Sequence, residues 1–263
     1  MSAIIAETKI YDDLAEFYPL WRDACLHKKA SEAEEVKFLL DVFASSSGIE
    51  SVIDLGGGTG VHAIPLAKHG FDMTILDKSA NALAIARRHC SNVKTVCKPF
   101  ETISIKRMFD ASICMLSSLT YVLDESGRKH FLSWVANHTK DLIVLDQGNF
   151  YRYPKAYNDR LQSEDKYFSL RVARDWYMEG SRKHTSFLYE FADKFSDASK
   201  VISDEQIQQY VKVEELVKYL GQEWRLVALL GSYDLKQIFE EHSSTRMICV
   251  FKRLESTAGN TAA

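Results

Sequence analysis

Between residues 51 and 146 short apolar runs alternate with stretches of helical periodicity. Ser51–Leu55, Met73–Asp77, Val93–Cys97, Phe109–Leu116 and Leu142–Asp146 predict strands. Gly60–His69, Ser79–Arg88 and Glu125–His138 predict helices between them. Apolar strands joined through helices by brief loops imply a parallel sheet covered on both faces. Upstream, residues 10–27 carry Tyr11, Leu14, Ala15, Tyr18 and Trp21 at helical spacing. Residues 32–45 read as a helix with an apolar face of Val36, Leu39, Leu40 and Phe43. Glu32, Glu34 and Glu35 in its first turn suit the positive end of the helix dipole. After Phe150 the rhythm becomes antiparallel. Phe168–Met178 and Lys183–Phe195 alternate around an "EGSR" turn, and Ile207–Val213 is a third β-like piece. A helix at Glu214–Leu220 and strands at Trp224–Leu230 and Met247–Phe251 complete the pattern.

Composition narrows the function. The 263 residues suit one large α/β domain or a core with an insertion. A formal charge of −3, from 33 basic and 36 acidic residues, argues against a dedicated nucleic-acid binder. The start "MSAIIAETKIYDDLAEF" lacks a basic stretch followed by an apolar one. No run approaches the roughly 18 apolar residues of a membrane span. The expectation is a cytoplasmic protein with no membrane partner. The cysteines at 25, 90, 97, 114 and 249 form no paired motif, so reduced, mostly buried thiols are expected. No metal motif is present, and the tail "STAGNTAA" is expected to be disordered.

The chemistry concentrates in "VIDLGGGTGVHAIPLA", Val52 to Ala67. Glycine lets backbone approach a ligand closely and turn with positive φ, and a helix start beyond it offers free N–H groups. Two registers compete. From Gly58 the chain reads G-T-G-V-H-A, a dinucleotide pattern with Asp77 19 residues on. From Asp54 it reads D-x-G-x-G-x-G, with an acid at the strand end that suits a positive ligand group. Asp77 ends the next strand in either register, placed for ribose hydroxyls.

The second register resembles motif I of class I S-adenosylmethionine (SAM)-dependent methyltransferases. "ILDKSANALAIARRH" is similar to that family's second strand and helix. "FDASICMLSSLTYV", "RKHTSFLYEFAD" and "QIQQYVKVEELVKYL" resemble its aminosugar N,N-dimethyltransferases. The resemblance covers about residues 10–253. It implies an α/β, Rossmann-like, seven-stranded methyltransferase sheet with helices on both faces, an N-terminal helical lid and an antiparallel β insertion. It divides the chain into a lid (1–46), a SAM-binding core (47–150), an insertion covering the substrate (151–212), the last core helix and strands (213–254) and the tail (255–263).

The resemblance also implies a cofactor site. Gly56, Gly58 and Gly60 would pass under the methionine and ribose, Asp54 would sit at the amino-acid end, Asp77 would take the ribose hydroxyls, and Lys78 would belong to the same cofactor site. Phe100 and the Met115, Leu116 and Ser117 backbone would flank adenine and sulfonium, under a lid bearing Tyr11 and Tyr18. The chain departs from the family in three places. "CKPFE" sets Lys98 and Pro99 where an adenine-binding acid is usual, leaving Glu101 or backbone to replace it. Tyr121 stands where some aminosugar enzymes carry histidine. "DQGNFY" replaces an "EPWW" stretch, so the acceptor differs from theirs.

The implied function is methyl transfer from SAM, with S-adenosylhomocysteine (SAH) as product, to a small-molecule acceptor. An amine nitrogen is favoured because no decisive base is visible. Tyr121, Tyr18 and His184 are the catalytic candidates, with Asp146 a further proton handler. His62 reads as a packing or capping residue and Ser118 as a loop residue. Tyr151, Tyr153, Tyr157 and Trp176 read either as pocket wall or as core. An NAD-dependent oxidoreductase and a SAM-binding protein without methyltransferase activity stand as alternatives. Monomer and homodimer are both open.

Overall fold

Every residue of Ser51–Leu55 (β1) is buried, because this strand lies inside a sheet covered on both faces. The structure, a computed structural model, describes residues 9–26, 32–152 and 155–254. The predicted tail and Tyr153 lie outside these residues. From β1 the core runs through Ala63–Lys68 (α3), Asp72–Asp77 (β2), Ala80–His89 (α4), Lys94–Cys97 (β3) and Phe109–Cys114 (β4). It continues through Glu125–His138 (α5) and Thr139–Gly148 (β5). After an excursion come Val213–Leu220 (α6), Trp224–Leu230 (β10) and Arg246–Arg253 (β11). The strand order is β10-β11-β5-β4-β1-β2-β3, with β11 antiparallel to both neighbours. Strand order reverses at β1, which pairs with β2 on one side and β4 on the other. Ligands of such sheets bind beyond the strand ends at that switch point.

Two apolar layers hold the sheet. On one face Phe131, Val135 and Leu216 pack against Ile53, Leu55 and Ile143. On the other, Glu32–Ala44 (α2) sets Val36, Leu39 and Val42 with Leu66 and Leu83 against Val52, Ile75 and Ile113. Helix starts follow local chemistry. Ser79 caps α4 by accepting the Ala82 N–H at 3.0 Å, and Asp124 caps α5 by accepting the Gly127 N–H at 2.7 Å.

The excursion is a second, antiparallel sheet: Ala156–Glu164 (β6), Phe168–Glu179 (β7), Arg182–Asp193 (β8) and Ser199–Gln209 (β9), in that order. Its departure and return are tied together by Gln147. That side chain donates to Val211 O at 2.5 Å and accepts from Val211 N at 3.3 Å. Tyr18–Cys25 (α1) packs on this sheet, where Leu20 and Trp21 meet Leu170, Val172 and Tyr189.

Several predicted elements need correction. Residues 10–27 do not form one helix; 3-10 turns at Lys9–Tyr11 and Ala15–Phe17 precede α1. Asp12 is drawn aside by Ser79 Oγ at 2.6 Å, and Pro19 in the first turn of α1 sets the new start. Helix α3 starts at Ala63, not Gly60, because the glycine turn uses the residues between. Strand β6 is absent from the prediction, and β9 begins eight residues before the predicted Ile207. Both strands turn polar residues inward, Asp159 on one and Asp204 and Gln206 on the other, which erases the apolar alternation. Cys97 is exposed and Cys90 half-buried, while the other three cysteines are buried and all five are unpaired. Among the described residues no helix is long and apolar enough to cross a membrane.

Candidate functional site

Asp54 ends the β1 run with its carboxyl 1% exposed, and its Oδ2 has no partner among the described residues. Burial pushes this carboxyl up to about 6, against the pull of His62. The glycines that follow fold tightly over it. A Cβ on Gly57 would stand 2.5 Å from Asp54 Oδ2, so the carboxylate lies directly under the loop. Gly58, at φ +52°, donates its N–H to Asp77 Oδ2 at 2.9 Å. Asp77 Oδ1 accepts the Ser79 N–H at 2.9 Å. Two backbone donors thus fix the β2 carboxylate, although burial outweighs them and raises its pKa.

These groups line a cleft beyond the ends of β1, β2 and β4. Lys78, Lys98, Phe100 and Glu101 form one side, Met115 and Leu116 another, and Tyr11, Tyr18 and Trp21 the roof. Leu116 and Ser117 hold left-handed φ values of 52° and 71°, a costly conformation for residues with side chains. The elbow is pinned from β5: Asp146 Oδ2 accepts Leu116 N at 2.8 Å, Asp146 O accepts Ser117 N at 3.0 Å, and Ser117 Oγ accepts Gly148 N at 2.9 Å.

A second chamber adjoins the first, and the two share Tyr11, Trp21, Leu26, Leu116 and Tyr121. Its far wall is the inner face of the antiparallel sheet, where Tyr157, Trp176, Thr185 and Gln206 follow one another across β6, β7, β8 and β9. At the junction Tyr121 donates its hydroxyl to Gln206 Oε1 at 2.8 Å and stands 3.2 Å from the Tyr11 hydroxyl. Burial pushes the Tyr121 phenol well up, and burial together with the Tyr121 charge does the same for Tyr11. Burial also lifts Tyr18, to about 12.

Three carboxylates near this chamber are engaged. Glu35 meets Arg22 at 2.5 Å and His62 Nε2 at 2.8 Å. Burial acts to raise Glu35, but the hydrogen bond and charge of His62, with Arg22, lower it. Asp146 is gripped by Arg246 through two 2.7 Å bonds and by the Tyr233 hydroxyl at 2.8 Å. Asp159 pairs with Arg174.

The structure brings most of the predicted residues together. Asp54, Gly56, Gly58, Asp77, Lys78, Phe100, Met115, Leu116, Tyr11 and Tyr18 all line the first cleft, and Tyr121 lines both chambers. Three do not fit. Gly60 faces away; a Cβ there would meet Ile64 at 2.8 Å and Ala86 at 3.4 Å, so it serves helix packing. Ser117 lines the second chamber, because its left-handed turn points it toward Gly148. His184 lines neither chamber; it stacks on Tyr177 at 4.8 Å with Glu179 3.3 Å away. Asp146 is held by Arg246 as a structural clamp rather than poised for proton transfer. Tyr157 and Trp176 line the second chamber, while Tyr151 packs edge-on against Tyr210.

Sequence reasoning missed Glu35, Arg22 and Arg246. In sequence Glu35 reads only as a dipole partner, yet it shares the buried face with Phe38, Leu39 and Val42, three, four and seven residues on. That spacing was the available signal. Nothing local marks Arg22 or Arg246, whose partners lie 13 and 100 residues away.

Sheet order, glycine loop and strand-end acids together define a class I SAM-dependent methyltransferase fold. The family model of the methyltransferase domain matches residues 52–141, from β1 into β5. The chain is similar to the glycine/sarcosine N-methyltransferase of Aphanothece halophytica, 26% identical over 190 residues that cover 68% of this chain and 69% of the relative. It is also similar to the enzyme of that name from Parasynechococcus marenigrum, 29% identical over 158 residues, 56% of this chain and 55% of the relative. The chain thus spans about half the length of this second relative. A SAM-dependent methyltransferase from Clostridium acetobutylicum shares the fold with a TM-score of 0.78 at 18% identity, over 92% of this chain and 99% of that one. A sugar N-methyltransferase from Streptoalloteichus does so with a TM-score of 0.74 at 19% identity, over 97% and 96%.

The cleft fits SAM on its own chemistry. A buried carboxylate oxygen without a partner calls for a cation, as an amino-acid ammonium provides. The same carboxylate would repel the pyrophosphate of a dinucleotide, which disfavours the NAD register.

Proposed function

We propose that this chain transfers the methyl group of SAM to the nitrogen of a small-molecule amine. In this reading Asp54 holds the ammonium of the cofactor and Asp77 accepts from its ribose hydroxyls. Phe100, Met115 and Leu116 flank adenine and sulfonium, and Tyr11 and Tyr18 close the roof. When bound, SAM supplies an electrophilic methyl group for in-line displacement by the acceptor's lone pair.

The observation that carries the amine is the chemistry of the junction. Its phenols, Tyr11 and Tyr121, are pushed up in pKa and stay neutral near pH 7. The nearby carboxylates Glu35, Asp146 and Asp159 are ion-paired. A hydroxyl or carbon acceptor needs a base to take its proton as the bond forms; a neutral amine attacks with the lone pair it already has. Tyr121, its proton engaged by Gln206, offers its oxygen to orient an incoming N–H. Aromatic faces of Tyr11, Tyr18 and Trp21 suit the positive charge developing on nitrogen. The names of the N-methylating relatives agree with this reading.

Mass spectrometry of products formed from SAM and a library of amines, phenols and carboxylic acids tests it. The expected result is the added mass of one methylene on amines alone, with SAH released. Methylated phenols or carboxylates would replace the amine assignment, and SAM binding without any methylated product would favour a binding protein.

A further inference from the structure

Two buried N–H groups of the second chamber have no hydrogen-bond partner among the described residues: Gln206 Nε2 and Trp21 Nε1. Gln206 is 3% exposed and Trp21 6%. Such donors call for a ligand, because leaving them dry costs stability. The Gln206 amide is held from its other end, where Oε1 accepts the Tyr121 hydroxyl at 2.8 Å. Trp21 reaches the same junction through Tyr11, with ring centroids 5.7 Å apart, and Tyr11 stands against Tyr121 at the same separation. The Gln206 amide therefore borders the place where Tyr121 would orient the reacting nitrogen, and the Trp21 ring reaches it through Tyr11.

The other polar groups of the chamber decide what these donors want. Glu35 and Asp159 are ion-paired, and Gln208 donates to Thr120 at 3.0 Å. The Lys183 ammonium lies over the Phe150 and Trp176 rings, 5.6 and 5.1 Å from their centroids, and adds positive charge to the same wall. Of the buried groups left over, the two nitrogens only donate, while the Thr185 hydroxyl beside Gln206 can donate or accept. An alcohol oxygen could accept from the nitrogens but brings no charge. A carboxylate only accepts and brings the negative charge that Lys183 favours.

We propose that the acceptor amine carries a carboxylate, bound by Gln206 Nε2 and Trp21 Nε1, so that the substrate class is an amino acid rather than an amino sugar or amino alcohol. This rests on the methyl-transfer reading above.

The test is calorimetric titration of the full chain saturated with SAH, using amino acids paired with their amino alcohols: glycine with ethanolamine, alanine with alaninol, phenylalanine with phenylalaninol. At least one amino acid is expected to bind about tenfold more tightly than its alcohol. Equal or reversed affinity in every pair, or no binding by any amino acid, overturns the proposal. Gln206→Glu, which replaces the donor with an acceptor, is expected to weaken that amino acid by about tenfold or more, and Gln206→Met by a similar factor, with SAH affinity retained. If both folded variants bind the amino acid as the parent does, Gln206 is not the carboxylate's partner and the proposal fails. Failure of SAH itself to bind would instead remove the cofactor reading. Methylation of amines without any preference for a carboxylate would leave methyl transfer standing and remove only this inference.

Discussion

Gly58 donates its backbone N–H to Asp77 Oδ2 at 2.9 Å, so the loop after β1 and the end of β2 form one hydrogen-bonded unit. Asp77→Ala removes the acceptor for this N–H, for that of Ser79 and, in the proposed reading, for ribose. The dissociation constant for SAM is expected to rise about 10- to 100-fold by calorimetry. Gly57→Ala drives a Cβ to 2.6 Å from Asp54 Cγ and is expected to be at least as harmful. Gly58→Ala meets nothing nearer than 3.8 Å and costs about 1–2 kcal/mol through its positive φ. Full SAM affinity in folded Asp77→Ala would remove Asp77 from the cofactor site.

Asp54 gives that affinity a pH dependence. Its carboxyl, raised by burial to about 6, must be ionised to hold an ammonium group. SAM affinity is therefore expected to be level from about pH 7.5 to 7 and to fall below pH 6, approaching tenfold per unit. Asp54→Asn should bind weakly at every pH and lose most of this slope. A flat titration curve for the parent protein between pH 5 and 7 would contradict the assignment.

The His62–Glu35 contact predicts a stability window. Burial acts to lower His62, but the Glu35 hydrogen bond and the Asp54 charge raise it above 6.5. Its contribution is complete below 6.5 and is lost as pH rises through the higher folded value. Glu35 is held below 4.5, so its contribution is present above 4.5 and is lost as pH falls through the lower folded value. The pair stabilises most between 4.5 and 6.5. The melting-temperature difference between the parent and His62→Asn should be largest in that interval and shrink as pH rises above it. A difference that grows above neutral pH would reverse the assigned protonation.

Tyr121→Phe deletes the hydroxyl that joins the two chambers while keeping the ring. The expected loss is about tenfold in kcat, equivalent to ~1.4 kcal/mol, with SAM affinity changed by less than about threefold. Stopped-assay rates and calorimetry separate the two effects. Equal rates for Tyr121→Phe and the parent would exclude the hydroxyl from positioning the acceptor.

The parallel core was readable because its strands are buried on both faces. β1 needs an apolar residue at nearly every position, and Asp54 stands out as an acid in that run. The cofactor cleft follows from the same segment, since loop and acids are contiguous or end the next strand. The second chamber was less legible. Its wall sets Tyr157, Asp159, Arg174, Lys183 and Gln206 inward, a polar lining that imitates a solvent face in sequence. β6 was lost for that reason. Trp21 and Gln206 meet the same chamber from distant parts of the chain, joined only through Tyr11 and Tyr121. His184 failed as a candidate because the strand's alternation turns it to the opposite face from Lys183 and Thr185.

The Gln147 clasp on Val211 brings the exit and re-entry of the antiparallel sheet to a single place. Whatever lies between these points can be reshaped with little disturbance to the glycine turn, which hangs from different strands. On the proposed reading, selection can thus retune what is methylated while leaving the methyl donor's grip alone, as a lathe changes its tool without changing its motor.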